Sequence, residues 1–267
     1  TQSRMMSLLV PGLLATSVLF ASGIRQLNAF KQGEIRDATS QLLGVLGCIL
    51  AVFLVIQGLS DNGGRPTTGL MGTLLGALLL LIILGSSIKH PVNALLIGVA
   101  PLTGLFTLVT SVAGPVSSQM NPLIFETAVH VATSIVAYGA VAYAGTLAIL
   151  LSWQHAKLKE RPLTPLIAAL PPLDAMEYLF LRTVQTAWVV LTIALVTGVM
   201  YVEDFWAQHL AHKTALSVLA WCGMALALWQ HVNEGGVTRT MRKTAIGAAA
   251  LLCVGYLGSK AILEFLL

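Results

Sequence analysis

The chain has 267 residues, of which 56% are hydrophobic and only 10% are charged, and its mean hydropathy is +0.83. A water-soluble domain would carry about a quarter charged residues, so this composition excludes a typical soluble domain and indicates an integral membrane protein. Fifteen Lys and Arg residues against eleven Asp and Glu give a net charge of +4. We attribute this excess to membrane topology and not to nucleic-acid binding, because the basic residues concentrate on one side of the predicted spans.

Eight apolar segments alternate with short polar stretches. Most of them reach the roughly 20 residues that a helix needs to cross about 30 Å of hydrocarbon. No ten-residue segments of alternating polarity occur, so helices and not barrel strands satisfy the backbone. We interpret the first segment as a retained helix and not as a cleaved signal peptide. The predicted spans are 6–24, 42–59, 70–88, 94–113, 126–153, 182–201, 214–230 and 244–265.

The predicted fold is therefore an all-α, polytopic membrane bundle of about eight helices. It forms a single transmembrane domain over 1–267, with the first four helices in 1–120 and the other four in 121–267. Two connections are long enough to hold more structure: 25–41 could form a short amphipathic surface helix, and 173–181 an interfacial helix that leads into the sixth span.

The basic residues give the orientation, because cytoplasmic loops carry an excess of Lys and Arg. Four of the fifteen fall on one side of the predicted spans: Arg4, Arg65, Lys213 and Lys260. The other eleven share the opposite side: Arg25, Lys31, Arg36, Lys89, Lys157, Lys159, Arg161, Arg182, Arg239, Arg242 and Lys243. The second side is therefore predicted to be cytoplasmic. Both termini are expected to face outward, into the periplasm of a bacterial cell whose inner membrane holds the protein.

Two histidines are predicted to lie at similar depth in the outer leaflet. His130 lies about one turn inside the fifth span, and His212 lies at the outer end of the seventh. An ionisable residue within a span usually faces a partner inside the bundle. Two imidazoles on neighbouring helices could form a hydrogen-bonded structural pair, or they could provide both axial ligands of a haem iron. A third interpretation pairs His209 with His212 as ligands of Zn or Cu, with Glu203 and Asp204 nearby.

The other histidines and the cysteines offer less chemistry. We expect solvated or headgroup-facing positions on the cytoplasmic side for three histidines: His90, His155 and His231. The cysteines, Cys48, Cys222 and Cys253, form no CxxC or CxxCH motif, so the sequence encodes no covalent haem attachment. No GxSxG, HExxH or suitably spaced carboxylate pair indicates a hydrolytic enzyme. An enzymatic activity is thus not indicated.

The second half of the chain resembles the cytochrome c assembly family, which includes the CcsA- and CcmC-type haem-handling proteins. One similar stretch leads into the sixth span and contains Leu170, Pro171, Pro172, Leu173, Met176, Glu177, Arg182, Leu191, Thr192 and Gly198. Another contains His130, Val131, Ser134, Ala137 and Tyr138. The family's tryptophan-rich outer motif is missing, and only Trp206 stands in its place. The residues 212–221 and 255–260 instead resemble the YpjD branch, which lacks that motif.

The resemblance implies a non-covalent haem b held by two histidines near the outer face. The positions that match this role are His130 and, by the motif of the branch, His212. Bases on the same side, Lys213, Arg65 or Lys260, would meet the haem propionates. The expected function is haem handling or cytochrome c biogenesis, with membrane lipid and a membrane or periplasmic protein as partners.

A cofactor-free transporter component or an accessory subunit of a larger membrane complex is the alternative. Ion-coupled transport is disfavoured, because no Asp, Glu, Lys or Arg lies near the centre of a predicted span.

Overall fold

The structure is a computed structural model that describes residues 2–34, 36–61, 67–112, 125–159, 170–201 and 208–258. Side chains are described for the same residues except 2–7, 125–128, 208–212 and 257–258. Within these ranges the chain is almost entirely helical and contains no strand, which confirms the predicted all-α fold.

Eight α-helices make up most of the described chain. A short 3-10 turn, Asn93–Leu95, leads into the fourth helix, and a π-helical turn, Val254–Gly258, continues the last one. The helices are α1 (Gln2–Lys31), α2 (Ala38–Asp61), α3 (Thr68–Lys89), α4 (Leu96–Val112), α5 (Phe125–Lys157), α6 (Leu173–Tyr201), α7 (Gln208–Glu234) and α8 (Arg239–Cys253).

Seven of these helices, α1 to α7, contain a segment long and apolar enough to cross a membrane. They correspond to the first seven predicted spans and make the protein a multi-pass membrane bundle. The eighth predicted span, 244–265, begins in α8 and runs through the π-helical turn. Its last residues lie outside the part of the chain that the structure describes. The predicted outward position of both termini stays a prediction.

Local sequence signals explain where several helices begin and end. Gly33 and Gly235 have φ angles of 83° and 71°, and each follows the last residues of a helix, α1 and α7. Glycine adopts this left-handed conformation without a steric penalty and commonly ends helices. Thr67 and Thr238 precede α3 and α8, and each side chain accepts a hydrogen bond from the backbone N–H three residues later. These threonines are N-caps that satisfy an otherwise unpaired donor.

The predictions of separate short helices in two connections, 25–41 and 173–181, are wrong. The residues 173–181 are not a separate interfacial helix, because α6 continues through Leu181 and Arg182 without a break. No Pro or Gly interrupts α6 before Gly198, and its buried positions keep helical spacing across the junction. The segment 25–41 holds no helix of its own either, because its first residues belong to α1 and its last to α2.

The first compact unit contains α1 to α4. Helix α4 packs against α1 and α3, and α2 packs against the same two helices. Hydroxyl pairs join them: Thr16 Oγ1 lies 2.8 Å from Thr107 Oγ1, and Thr73 Oγ1 lies 2.9 Å from Thr110 Oγ1. Small and hydroxyl-bearing residues commonly hold helices together in a membrane, because burial of apolar side chains contributes little to helix association there.

The second compact unit contains α5 to α8. Helix α5 packs against α6 and α8, and α7 packs against the same two helices. The apolar side chains that face away from these contacts are exposed, as on α6, where Val189, Val196 and Val199 lie on the surface. Such a surface is suited to contact with lipid.

Candidate functional site

His130 lies in the first part of α5, at the end of that helix predicted to face outward. It is the second residue of the apolar stretch Val129–Lys157 that is able to cross a membrane. Its ring is half-buried, and its Nδ1 atom lies 3.3 Å from Oγ1 of Thr197 on α6. His130 thus has a hydrogen-bond partner inside the bundle, and this partner is a threonine.

A second threonine completes the polar contact between α5 and α6. Oγ1 of Thr133 lies 3.1 Å from Oγ1 of Thr197. Each hydroxyl also bonds to a carbonyl oxygen of its own helix: Thr133 to those of Val129 and His130, both at 3.0 Å, and Thr197 to that of Ala194 at 3.0 Å. His130, Thr133 and Thr197 form what we call the outer polar cluster. Its hydrogen bonds account for every described polar atom of these three side chains except His130 Nε2.

Gly198 makes room for the His130 ring. A Cβ atom at this position would lie 2.9 Å from His130 Cε1, 3.4 Å from Nδ1 and 3.7 Å from Nε2. The ring therefore rests against α6 where a side chain is missing, with its Cε1 atom nearest to Gly198 and both ring nitrogens next to it. Gly198 is one of the residues in the stretch that resembles the cytochrome c assembly family. Nδ1 has a hydrogen-bond partner and Nε2 has none among the described residues, so His130 could bind a haem iron through Nε2.

Four aromatic side chains make contacts further along the helices, away from the end that carries the outer polar cluster. The hydroxyl of Tyr138, on α5, lies 3.4 Å from Ser217 Oγ on α7, and the Tyr138 ring lies 5.4 Å from that of Tyr256. Further along α7, Trp221 Nε1 donates to Thr192 Oγ1 at 2.8 Å and its ring stacks on Trp188 at 5.8 Å. These contacts hold α6, α7 and the end of α8 around α5.

The contact between Tyr138 and Ser217 relates the depths of the histidines on α5 and α7. Both helices run antiparallel to α8, so they run in the same direction. His130 precedes Tyr138 by eight residues, or about 12 Å of helix, and His212 precedes Ser217 by five, or about 7.5 Å. The difference is less than one helical turn. His209, eight residues before Ser217, is level with His130 by the same count.

The remaining predicted site residues are less completely described. Lys213 is half-buried on α7, next to His212 in sequence. His212 and His209 lie in the first two turns of α7, but their side chains are outside the described residues. Arg65, Lys260, Glu203 and Asp204 lie outside the described residues altogether. Among the residues that are described, no group of three or more His, Cys, Asp or Glu could hold a metal ion.

The three histidines predicted to lie on the cytoplasmic side, His90, His155 and His231, are each partly buried. His155 Nε2 lies 3.0 Å from Glu177 Oε1, so this histidine joins α5 to α6 at the end opposite to His130. Nearby, the buried Arg242 donates from Nε to Ser152 Oγ at 3.2 Å and ties α8 to α5. His231 Nδ1 is buried and finds no hydrogen-bond partner within the described structure. These contacts hold helices together and bring no second histidine to His155.

The threonines of the outer polar cluster were missed by sequence reasoning. Thr133 follows His130 by three residues and so shares its helix face, which is a signal that could have been used. Thr197 had no such signal, because it is one of several threonines on α6 and comes from a distant part of the chain. Only the packing of α5 on α6 selects it.

The comparisons with known proteins agree with the resemblance found in the sequence. The model of the family described as cytochrome c assembly protein matches residues 13–267. The inner membrane protein YpjD of Escherichia coli strain K12 is 28% identical over 138 residues, 52% of each chain, so the chain spans about half the length of this relative. An uncharacterized 28.8 kDa protein of Azospirillum brasilense, from a nifR3-like 5' region, is 29% identical over 218 residues, 78% of this chain and 80% of that protein.

No solved structure matches the chain. The inner-membrane relative, the family match and the seven candidate spans together identify a multi-pass inner-membrane protein. Because the family model covers nearly the whole sequence, the chain belongs to the cytochrome c assembly protein family.

Proposed function

We propose that this protein binds a non-covalent haem b near its outer face and serves haem handling or cytochrome c biogenesis. The observation that carries the proposal is the His130 ring, half-buried at the outer end of a span, bonded through Nδ1 and seated over Gly198. A histidine placed inside a membrane is costly and usually has a function. The second nitrogen of the ring is the one that would bind iron.

The second axial ligand is assigned to His212. Counted from the Tyr138–Ser217 contact, His212 lies within one helical turn of the depth of His130, and His209 is level with His130. The assignment to His212 therefore rests on the motif of the branch and not on depth. Two imidazoles would give a six-coordinate iron, and the haem itself would supply the capacity to accept and donate one electron.

The propionates of such a haem need cations at the outer face. Lys213 is half-buried next to His212, and its ammonium would be attracted to a carboxylate more strongly there than in bulk water. Arg65 lies on the same predicted side and is the second candidate. The chain has no CxxCH motif, so the haem would be held without a covalent link.

A cofactor-free role as an accessory subunit or transporter component is the second candidate. The outer polar cluster favours it in one respect, since His130 already has a hydrogen-bond partner and would fasten α5 to α6 without any ligand. Interhelical hydrogen bonds in membranes contribute about 0.6 kcal/mol each, which is enough for such a structural role.

An optical spectrum separates the two candidates. The protein is purified in detergent from cells supplied with a haem precursor, and spectra are recorded before and after reduction with dithionite. We expect a Soret band that shifts on reduction, with resolved α and β bands. After extraction into pyridine, the spectrum should be that of haem b. Protein without any Soret absorption would leave only the cofactor-free role.

Variants then identify the ligands. His130→Ala and His212→Ala should each lose haem or leave it five-coordinate, whereas His155→Ala and His231→Ala should keep the wild-type spectrum. His209→Ala is the matched control, because it removes a histidine one turn away on the same helix. If His209→Ala changes the spectrum and His212→Ala does not, the assignment of the second ligand is wrong.

A further inference from the structure

The hydroxyl of Thr197 has more neighbours that can accept a hydrogen bond than it has hydrogens to donate. Its Oγ1 atom lies 3.0 Å from the carbonyl oxygen of Ala194, 3.1 Å from Thr133 Oγ1 and 3.3 Å from His130 Nδ1. A threonine hydroxyl carries one hydrogen and two lone pairs. In helices that hydrogen is commonly directed to a carbonyl oxygen three or four residues earlier, which here is that of Ala194.

Thr133 does not change this count. Its own hydrogen is directed to the carbonyl oxygens of Val129 and His130, both 3.0 Å away on its own helix. If the Thr197 hydrogen turned to Thr133 instead of Ala194, His130 would still face a lone pair of Thr197. Only a hydrogen directed at Nδ1 itself would reverse the bond, and it would leave both oxygen acceptors without that hydrogen.

With the Thr197 hydrogen directed to an oxygen, the imidazole is the donor in its bond to Thr197. A neutral imidazole carries one N–H, so a hydrogen on Nδ1 leaves Nε2 with a free lone pair.

We infer that Thr197 is a positioning residue that holds His130 as the Nδ1–H tautomer and thereby presents Nε2 as the metal-binding nitrogen. This inference rests on the proposed haem-binding function. Metal-binding histidines generally donate their second N–H to an oxygen, which fixes the tautomer and raises the basicity of the ligand. In this chain the oxygen comes from α6, a different helix from the one that carries the ligand.

The tautomer can be measured without haem. Protein labelled with 15N-histidine is prepared in the haem-free form, and the signals of His130 are assigned by their loss in His130→Asn. The wild type should show a protonated Nδ1 and an unprotonated Nε2. Thr197→Val keeps the shape of the side chain and removes the acceptor, so the signals should move toward the Nε2–H form that neutral histidine favours in water.

Two further variants separate hydrogen bonding from packing. Thr197→Ser keeps a hydroxyl and should restore the Nδ1–H signals. Thr183→Val is the matched control, because the Thr183 hydroxyl bonds to the Leu179 carbonyl oxygen of its own helix, α6, at 2.8 Å. It should leave the His130 signals unchanged. A wild type in the Nε2–H form, or a Thr197→Val variant with wild-type signals, would overturn the inference.

Haem titration adds a second measurement. Thr197→Val should bind haem about ten- to a hundredfold more weakly than the wild type and raise its midpoint potential, because the ligand becomes less basic. Thr183→Val should change neither. If the wild type binds no haem while the tautomer results hold, the proposed function fails and the positioning by Thr197 stands. If haem binds and Thr197→Val has no effect on affinity, potential or tautomer, the inference fails and the proposed function stands.

Discussion

Gly198 is the residue at which the outer polar cluster is most sensitive to substitution. We expect Gly198→Ala to displace the His130 ring, because the new methyl group would lie 2.9 Å from Cε1, closer than carbon atoms pack. Overpacking of this kind costs about 1–3 kcal/mol. The ring has to tilt, so its bond to Thr197 should weaken. The measurements are the haem content of the purified variant and its thermal midpoint in detergent.

Gly247→Ala is the control for that substitution. Gly247 lies on α8 in the same compact unit, and a Cβ atom there would meet nothing within 4 Å. Alanine is the better helix former by roughly 0.5–1 kcal/mol, so this variant should be as stable as the wild type or slightly more so. If both variants behave alike, the close approach of His130 to Gly198 is not what limits substitution there.

The packing of α3 on α4 depends on three glycines of α3 that face α4. A Cβ atom at Gly72 would lie 2.1 Å from Phe106 Cδ1, and one at Gly69 would lie 2.8 Å from the backbone nitrogen of Thr110. At Gly76 it would lie 2.5 Å from Thr103 Oγ1. Small residues let membrane helices approach closely enough for such contacts.

Gly72→Ala should therefore lower the thermal midpoint by pushing the Phe106 ring out of its place. Phe106→Ala alone should also destabilise the protein, by leaving a cavity. The double variant should lose less than the two single variants together, since the new methyl group then occupies part of that cavity. Gly85→Ala, on the same helix with nothing within 4 Å, serves as the control. If the stability losses of the two single variants simply add in the double variant, the methyl group at position 72 and the Phe106 ring do not compete for the same space.

Asp37 links α1 to the start of α2 by charge as well as by hydrogen bonds. It accepts from Arg25 Nε at 3.0 Å and from the backbone N–H groups of Thr39 and Ser40 at 3.3 and 3.2 Å. Burial on its own would raise the pKa of Asp37, but the hydrogen bond from Arg25, the two backbone N–H groups and the Arg25 charge together hold that pKa below its ordinary value of 3.8.

A lowered pKa means that the folded state favours the charged carboxylate. The stabilisation is present above the unfolded pKa and is lost as the pH falls through the lowered folded pKa. Asp37→Asn keeps a capping side chain and removes the charge, so it should lower the free energy of unfolding slightly at neutral pH, by less than about 1 kcal/mol for an exposed pair. The difference from wild type should shrink below pH 3.8. A difference that persists unchanged in acid would assign the effect to something other than the Asp37 charge.

For the whole molecule, the order of helices predicts which loops lie on which side of the membrane. The connection between α5 and α6 should be cytoplasmic, and the one between α6 and α7 should face outward, because the basic residues favour the cytoplasmic side. A reporter fused after Trp153 should therefore give the cytoplasmic signal and one fused after Glu203 the outward signal. Equal signals from both fusions would contradict the helix order on which the shared depth of His130 and His212 depends.

The sequence by itself determined the class of the fold and the family. Apolar segments of about 20 residues predicted the approximate positions of the seven spans found in the described residues, because the bilayer sets the length and leaves helices as the way to satisfy the backbone. The ends of the helices were predicted less accurately. Helix α6 begins after Pro172, as expected, but it passes through Arg182 without the predicted break. Helical spacing of apolar residues does not distinguish a short surface helix from the first turns of a long one.

The tertiary structure alone decided which side chains meet. His130 could be singled out from the sequence because a titratable residue inside a span is rare, but its partner Thr197 lies 67 residues away and resembles its neighbours on α6. The rotation of α5 against α6 brings that threonine and Gly198 to the ring, and no local pattern encodes the rotation. The same holds for His155 and Glu177, which the sequence placed on one side of the membrane and only helix packing placed 3.0 Å apart.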